Sequence, residues 1–403
     1  MAESAGSDGF VRDRATTLSY AVIGYYAFYL YLSGPAIALL RSELHLSYTV
    51  TSLSSALWAG AAILSGLSFP WIAHRVPRRA LLWRSTFGIA VGSALLATSR
   101  GISSALVAIA VLSFTGTAAL MVPQAALADR HGPRLGRALV EANIGAAACA
   151  VVAPLVLSAL DHTGVGWRVG PVLPVFALLA MYLTYRRDPL PAPAVHTAAT
   201  PRSRRVPRSY WLQASLVACS MAIEMCMVFF SVDLLASTTG LTVADATATM
   251  IGFYLGILLG RIAGSVLARR PERSGRLILA SLSLAFAGVL LCWLSGHALV
   301  ASAGLFMAGA GIANLYPLTL SRALAAAPDQ SDAASAHTQL LGGGLAIVMP
   351  ALLGTLANRF GVAIAFAVVP SLIAGSALLL LIVRLVTRTP RDAVSPRAPL
   401  EQR

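Results

Sequence analysis

Residues 277–295 read LILASLSLAFAGVLLCWLS, without one charged side chain. A helix of about 20 mostly apolar residues crosses the hydrocarbon layer of a bilayer, and this stretch fills that length. Lipid cannot satisfy exposed backbone groups, so the crossing element has to be a helix. Working outward, comparable blocks fall at 17–40, 49–73, 80–98, 102–126, 136–160 and 169–185. A second set falls at 210–238, 243–267, 277–295, 298–320, 333–357 and 362–386. The composition agrees, with 57% hydrophobic residues, 11% charged residues and a mean hydropathy of +0.75. Soluble chains run at about 25% charged, so the 403 residues do not read as water-soluble domains. A transmembrane β-barrel would show weak alternation instead of long apolar blocks. The expected fold class is an all-α polytopic membrane protein with twelve transmembrane helices.

The charges set an orientation. Lys plus Arg is 30 against 16 for Asp plus Glu, and no lysine occurs, so all the cations except histidine are arginines. Placing the N-terminus inside puts Arg12, Arg14, Arg75, Arg78, Arg79, Arg84, Arg130, Arg134, Arg137 and Arg322 on the inner side, with the arginines of 186–208, 269–276 and 384–403. The outer side then holds only Arg41, Arg100, Arg168 and Arg359. Cytoplasmic loops carry the excess of arginine. The expectation is a multi-pass protein of the bacterial cytoplasmic (inner) membrane with both termini cytoplasmic. Arginines set between apolar blocks do not form the stripe of a nucleic-acid binder, so no nucleic acid is expected as partner. The expected partners are the lipid bilayer, protons and a small-molecule substrate, and the chain is expected to act as a monomer. Residues 1–16 are polar and lack the short apolar core and cleavage site of a signal peptide.

Residues 188–208 carry Pro189, Pro191, Pro193, Pro201 and Pro207 among arginines and read as an extended cytoplasmic linker. It divides the chain into a tail (1–16), a six-helix bundle (17–187), the linker (188–208), a second six-helix bundle (209–387) and a second tail (388–403). The halves repeat. A shift of 194 residues lays Gly66 on Gly260, Arg75 on Arg269, Pro77 on Pro271 and Pro123 on Pro317. A shift of 196 lays Val152, Pro154 and Leu157 on Val348, Pro350 and Leu353. An even helix number makes the bundles parallel, pseudo-symmetric repeats, which places a substrate site at the midplane between them.

With these residues in hand, the chain resembles the major facilitator superfamily over nearly its whole length. That family carries Gly-x-x-x-Asp-Arg-x-Gly-Arg-Arg after the second helix of each half. The first copy here reads Pro70-Trp71-Ile72-Ala73-His74-Arg75-Val76-Pro77-Arg78-Arg79 and keeps Arg75, Arg78 and Arg79. The second keeps Gly264 and Arg269 and has Ala268 where the acid stands. Gly166-Trp167-Arg168 before the sixth helix is also family-like. The arginine and the Gly-Pro pair of the family's drug antiporters are missing: the fourth helix has Ser113-Phe114-Thr115-Gly116 and the fifth Ala153-Pro154. The resemblance implies transport by alternating access, with helices one, four, seven and ten around a central cavity.

Ionisable residues inside the membrane are expensive and point to function. Glu224 lies near the middle of the seventh block. A carboxyl desolvated there can take up a proton as the cavity changes access, so it is the expected proton-coupling residue, against a structural Glu bonded to a neighbouring helix. Arg261 in the eighth block is a candidate for an anionic group on the substrate or for pairing with Glu224, against simple snorkelling. Tyr25, Tyr29 and Ser33 recur every four residues on one face of the first helix and offer rings and hydroxyls to a small organic solute. Thr115 and Gln124 in the fourth helix, and Asn314 and Tyr316 in the tenth, are further substrate-binding candidates. Glu141 and His337 match under the 196-residue shift, one and a half turns inside the start of their helices. With Arg75, Arg78, Arg79 and Arg269 they are the expected inner gate.

The four cysteines lie inside apolar blocks without metal or redox spacing, and no cofactor or metal is expected. No phosphate-binding loop, zinc-protease motif or nucleophile elbow occurs, so an enzyme is not expected. The function expected is a proton-coupled secondary active transporter for a small organic solute. A drug or metabolite efflux antiporter of the same fold is the first alternative, and a polytopic membrane enzyme or scramblase the second.

Overall fold

The structure is a computed structural model that describes residues 11–191, 208–267, 274–326 and 331–387. Twelve helices long and apolar enough to span run through it: α1 Arg14–Glu43, α2 Tyr48–Arg75, α3 Arg78–Ala97, α4 Ile102–His131, α5 Arg137–His162 and α6 Trp167–Tyr185. The second set is α7 Ser209–Thr239, α8 Val243–Gly264, α9 Gly275–Leu294, α10 Ala298–Ala325, α11 His337–Phe360 and α12 Val362–Arg384. No strand occurs among the described residues. The expected count and fold class are met.

Helix packing repeats between the halves. α1 packs on α5 as α7 does on α11; α2 packs on α4 as α8 does on α10; α3 packs on α4 as α9 does on α10. Across the halves, α2 meets α11, α5 meets α8 and α1 meets α7. The symmetry that Pro, Gly and Arg spacing suggested in the sequence is therefore a symmetry of contacts.

Lipid offers no hydrophobic push between helices, so close backbone approach has to do that work. Gly252, Gly256, Gly260 and Gly264 form one row on α8, and a Cβ at each would overlap, in turn, Ser302, Phe306, Ala310 and Asn314 of α10. Both series advance by four residues, so α8 and α10 run parallel with their backbones in contact. Asn314 closes the row by donating to the Gly260 carbonyl at 2.7 Å.

Not every span is one unbroken helix. α10 consists of Ala298–Ile312 and Leu315–Ala325, and Pro317 follows the break. A proline ring removes the backbone donor that would have bridged it. Pro123, its counterpart, sits inside a continuous α4, so the same residue interrupts one helix and is absorbed in the other.

Both halves put their helix starts and ends in register. Arg14, at the start of α1, bonds the Thr184 carbonyl in the last turn of α6 and Asp188 just beyond it. This face is called the terminal end and the opposite face, where α1 finishes at Glu43, the distal end.

Candidate functional site

α1, α7 and α8 meet near mid-span, and three side chains meet there with them. Glu224 sits at the midpoint of α7. Its Oε1 accepts from the Tyr31 hydroxyl of α1 at 2.9 Å. Arg261 of α8 reaches the same hydroxyl at 3.5 Å, the outer limit of a hydrogen bond. Tyr31 thus stands between the acid and the guanidinium, and one phenol joins the two halves. The phenol is itself held: Tyr254 of α8 donates to the Tyr31 carbonyl at 3.2 Å, and the two rings meet edge on at 5.0 Å. Tyr26, Tyr254 and Tyr316 all lie within electrostatic reach of the Glu224 carboxylate. Tyr316 accepts from Gln339 of α11 at 3.1 Å.

Access to this cluster is one-sided. Every residue of α1 from Tyr31 to Leu40 and of α7 from Cys226 to Leu235 is buried, whereas Glu224, Met225 and Arg261 are only half-buried. The distal side of the cluster is therefore packed shut and solvent reaches it from the terminal side.

The distal closure is built from several contacts across the halves. Arg41 of α1 pairs with Asp233 of α7 at 2.5 Å, with no side-chain exposure left on the acid and 16% on the arginine. The guanidinium also lies 4.3 Å from the Tyr48 ring centroid. Asn358 of α11 accepts from the Tyr48 amide at 2.9 Å and donates to Thr49 at 2.8 Å. His162 of α5 meets Asp245 of α8 at 3.0 Å, where Asp245 and Thr242 cap the start of α8. A Cβ on Gly34 would overlap the Val228 carbonyl, so α1 and α7 touch backbone to backbone.

A family model described as Major Facilitator Superfamily matches residues 19–343. The chain belongs to the Major Facilitator Superfamily. It is a multi-pass membrane protein of a transporter family and not an enzyme. Solved transporters share the fold at low identity. A nucleoside transporter, NupG, has a TM-score of 0.70 at 12% identity, covering 93% of this chain and 98% of that one. A bacterial homolog to the human lysosomal transporter Spinster, in an inward-facing and occupied conformation, has a TM-score of 0.66 at 16% identity, covering 96% and 100%. A variant of the peptide transporter POT has a TM-score of 0.73 at 15% identity, covering 94% and 96%. No curated protein matches.

The residues singled out in the sequence of this superfamily member fall into three groups. Glu224 and Arg261 are brought together by Tyr31, and Tyr316 faces the same carboxylate. Tyr25, Tyr29 and Ser33 lie elsewhere: Tyr29 donates to the Pro171 carbonyl at 2.8 Å, Tyr25 meets the Tyr29 hydroxyl at 3.4 Å, and Ser33 bonds the Tyr29 carbonyl at 2.7 Å. All three are buried and the tyrosine contacts run within the first half. Thr115 bonds the Val111 carbonyl at 2.7 Å and fills the space over Gly88 of α3. Gln124 is exposed, and Asn314 serves the α8–α10 contact.

The third group lies at the terminal end. Glu141 receives Arg12 through two bonds of 2.8 Å, with Arg137 at 3.2 Å and Tyr20 at 3.3 Å. His337 stands 5.4 Å from the Trp211 ring, within its own half. Arg78 donates at 2.7 Å both to Asp129, at the end of α4, and to the Pro191 carbonyl. Arg78 of the loop motif is thus paired with an acid from another helix. Arg75 lies over its own Trp71 ring at 4.0 Å, Arg79 is exposed, and Arg269 lies outside the described residues.

Three partners escaped the sequence reading. Tyr31 was one of five tyrosines of the first block and lies off the four-residue series. Asp233 lies inside the block 210–238, where every acid merits the attention Glu224 received. Glu43 accepts from Trp167 Nε1 and from Arg168, each at 3.0 Å, and Arg168 also bonds the Ser99 carbonyl at 2.7 Å. The Gly166-Trp167-Arg168 motif therefore ties the distal ends of α1, α3 and α6.

Proposed function

We propose that this superfamily member is a monomeric secondary active transporter that carries a small organic solute across a bacterial cytoplasmic membrane by alternating access, coupled to protons. Glu224 holds the coupling proton, Tyr31 ties it to Arg261, Arg261 and the other phenols near the carboxylate form the solute site, and Arg41 with Asp233 closes the outer gate. The terminal end is the cytoplasmic one, following the arginine distribution, so the conformation faces inward.

One observation carries the reading: the Glu224–Tyr31 hydrogen bond crosses the two halves at a point reached by solvent from one side only. An ionised carboxylate makes that bond charge-assisted and roughly twice as strong as a neutral one. Proton uptake by Glu224 weakens a link between the halves, and proton release restores it. A proton is thereby converted into a change in how the halves hold together, which alternating access around a midplane site requires.

The test uses purified protein in liposomes, with solute counterflow and pH-driven accumulation measured for the wild type and for Glu224→Gln. The variant is expected to keep exchange and lose its pH dependence. An unaltered pH dependence in the variant ends the reading.

A further inference from the structure

The charges around Tyr31 restrict what the site can carry. Two charged side chains meet the Tyr31 hydroxyl, Glu224 from α7 and Arg261 from α8. The tyrosines within electrostatic reach of Glu224 carry no charge: Tyr26 and Tyr31 from α1, Tyr254 from α8 and Tyr316 from α10, the last bonded by Gln339 of α11. A further pair of charges across the same two helices, Arg41 and Asp233, is matched within the distal closure. With Glu224 ionised, the site has no net charge.

Neither charge is saturated. Glu224 uses one oxygen toward Tyr31, and its second oxygen bonds no described residue. A guanidinium has five donors, and Arg261 spends one on Tyr31, at long range; the others bond no described residue. Tyr31 bonds both side chains, and no direct Glu224–Arg261 bridge of 4.0 Å or less forms among the described residues.

We propose that the solute is a small organic monoanion, a carboxylate or sulfonate, carried with one proton so that the loaded and the empty site have equal charge. The proposal rests on the proton role of Glu224. In the loaded site the proton sits on Glu224, the anion receives the free donors of Arg261, and the net charge is zero. In the empty site Glu224 is ionised opposite Arg261, and the net charge is again zero. The proton enters Glu224 from water on the side to which the site is open and returns to water on the other side, so nothing is left over. A neutral solute would leave a protonated Glu224 beside an uncompensated guanidinium, and a dianion would leave one negative charge. Burying either without a partner is costly as the halves close over the site.

The experiment uses wild-type proteoliposomes, with protein-free liposomes subtracted, and radiolabelled lactate, pyruvate, benzoate and benzenesulfonate beside the neutral lactamide and benzamide. Benzenesulfonate has no neutral form to diffuse through lipid. Each is followed with a pH gradient at a clamped potential, and then with a valinomycin potassium potential at equal pH. At least one anion is expected to accumulate up to about tenfold per pH unit and to respond less than twofold to the potassium potential. The amides should not accumulate. Arg261→Gln should abolish anion accumulation, and Arg261→Lys, which keeps the charge, should retain it with weaker affinity. Accumulation of an amide, accumulation driven by the potential alone, or failure of all the anions overturns the proposal. Anion counterflow that ignores the pH gradient overturns the proton role of Glu224 instead, and with it the charge pairing.

Discussion

Arg41 and Asp233 stand on different halves of the molecule, 192 positions apart in sequence, and pair at 2.5 Å with the acid wholly buried. Removing one member of a buried pair leaves the other charge without compensation, at about 3–5 kcal/mol. Asp233→Asn is therefore expected to open the distal end. In a cysteine-free background, a cysteine at Ile37, which is fully buried, should become reactive to a membrane-impermeant maleimide added on the distal side. The charge swap Arg41→Asp with Asp233→Arg should restore part of the protection.

Gly34 lets α1 lie against the Val228 carbonyl of α7. Gly34→Ala places a methyl group where the backbone oxygen is, and overpacking of this kind costs about 1–3 kcal/mol. The distal closed state should lose population, seen as longer distances between spin labels on the distal ends of α1 and α7. Gly145→Ala in α5, where a Cβ meets nothing within 4 Å, should leave the same distances unchanged.

Tyr31→Phe keeps the ring that packs on Tyr254 and removes the hydroxyl between Glu224 and Arg261. Hydrogen bonds to charged groups contribute about 1.5–3 kcal/mol. Proton-driven accumulation is expected to fall by about tenfold or more while solute counterflow persists. Equal loss of both would show that the phenol serves solute binding instead of coupling.

Asp13 caps α1: its carboxylate accepts from the Thr16 amide at 2.9 Å and from the Thr16 hydroxyl at 2.7 Å, and it pairs with Arg130 of α4 at 2.7 Å. Burial pushes its carboxyl up, and the bonds from Thr16 and Arg130 together outweigh that and hold it below the usual aspartate range. A depressed folded value gives stability that is complete above the unfolded value, about 3.9, and is lost as pH falls through the folded one. Asp13→Ala should lower the detergent melting temperature near neutral pH by the equivalent of about 1 kcal/mol. That difference from wild type should shrink below about pH 4.

Much of this molecule is legible in its residues. Blocks such as 277–295 state their own lengths, and the arginine rows around Arg75–Arg84 and Arg130–Arg137 state which loops share a side. Glu224 is legible too, because an acid in an apolar block has few structural excuses. Its partner is not. Tyr25 and Tyr29 have the same composition and period as any cavity-lining face, yet Tyr29 donates to Pro171 inside the first half. Tyr31, two positions on, points across to α7. Rotation of a helix about its axis is set by its neighbours, and α1, buried through most of its length, carries no apolar stripe to reveal it.

Twelve spans, the family and a mid-membrane acid can be read from the residues in order, because each is a property of local composition or of spacing along the chain. Only the folded molecule shows that Tyr31 mediates between Glu224 and Arg261, that Arg41 meets Asp233, and that Arg78 of the loop motif pairs with Asp129. Those contacts join segments 192, 193 and 230 residues apart or, for Arg78 and Asp129, 51 apart. Which such pair forms depends on how twelve apolar cylinders turn and slide against one another, and glycine rows and backbone contacts set that angle where the hydrophobic pattern, nearly uniform around α1 and α7, cannot.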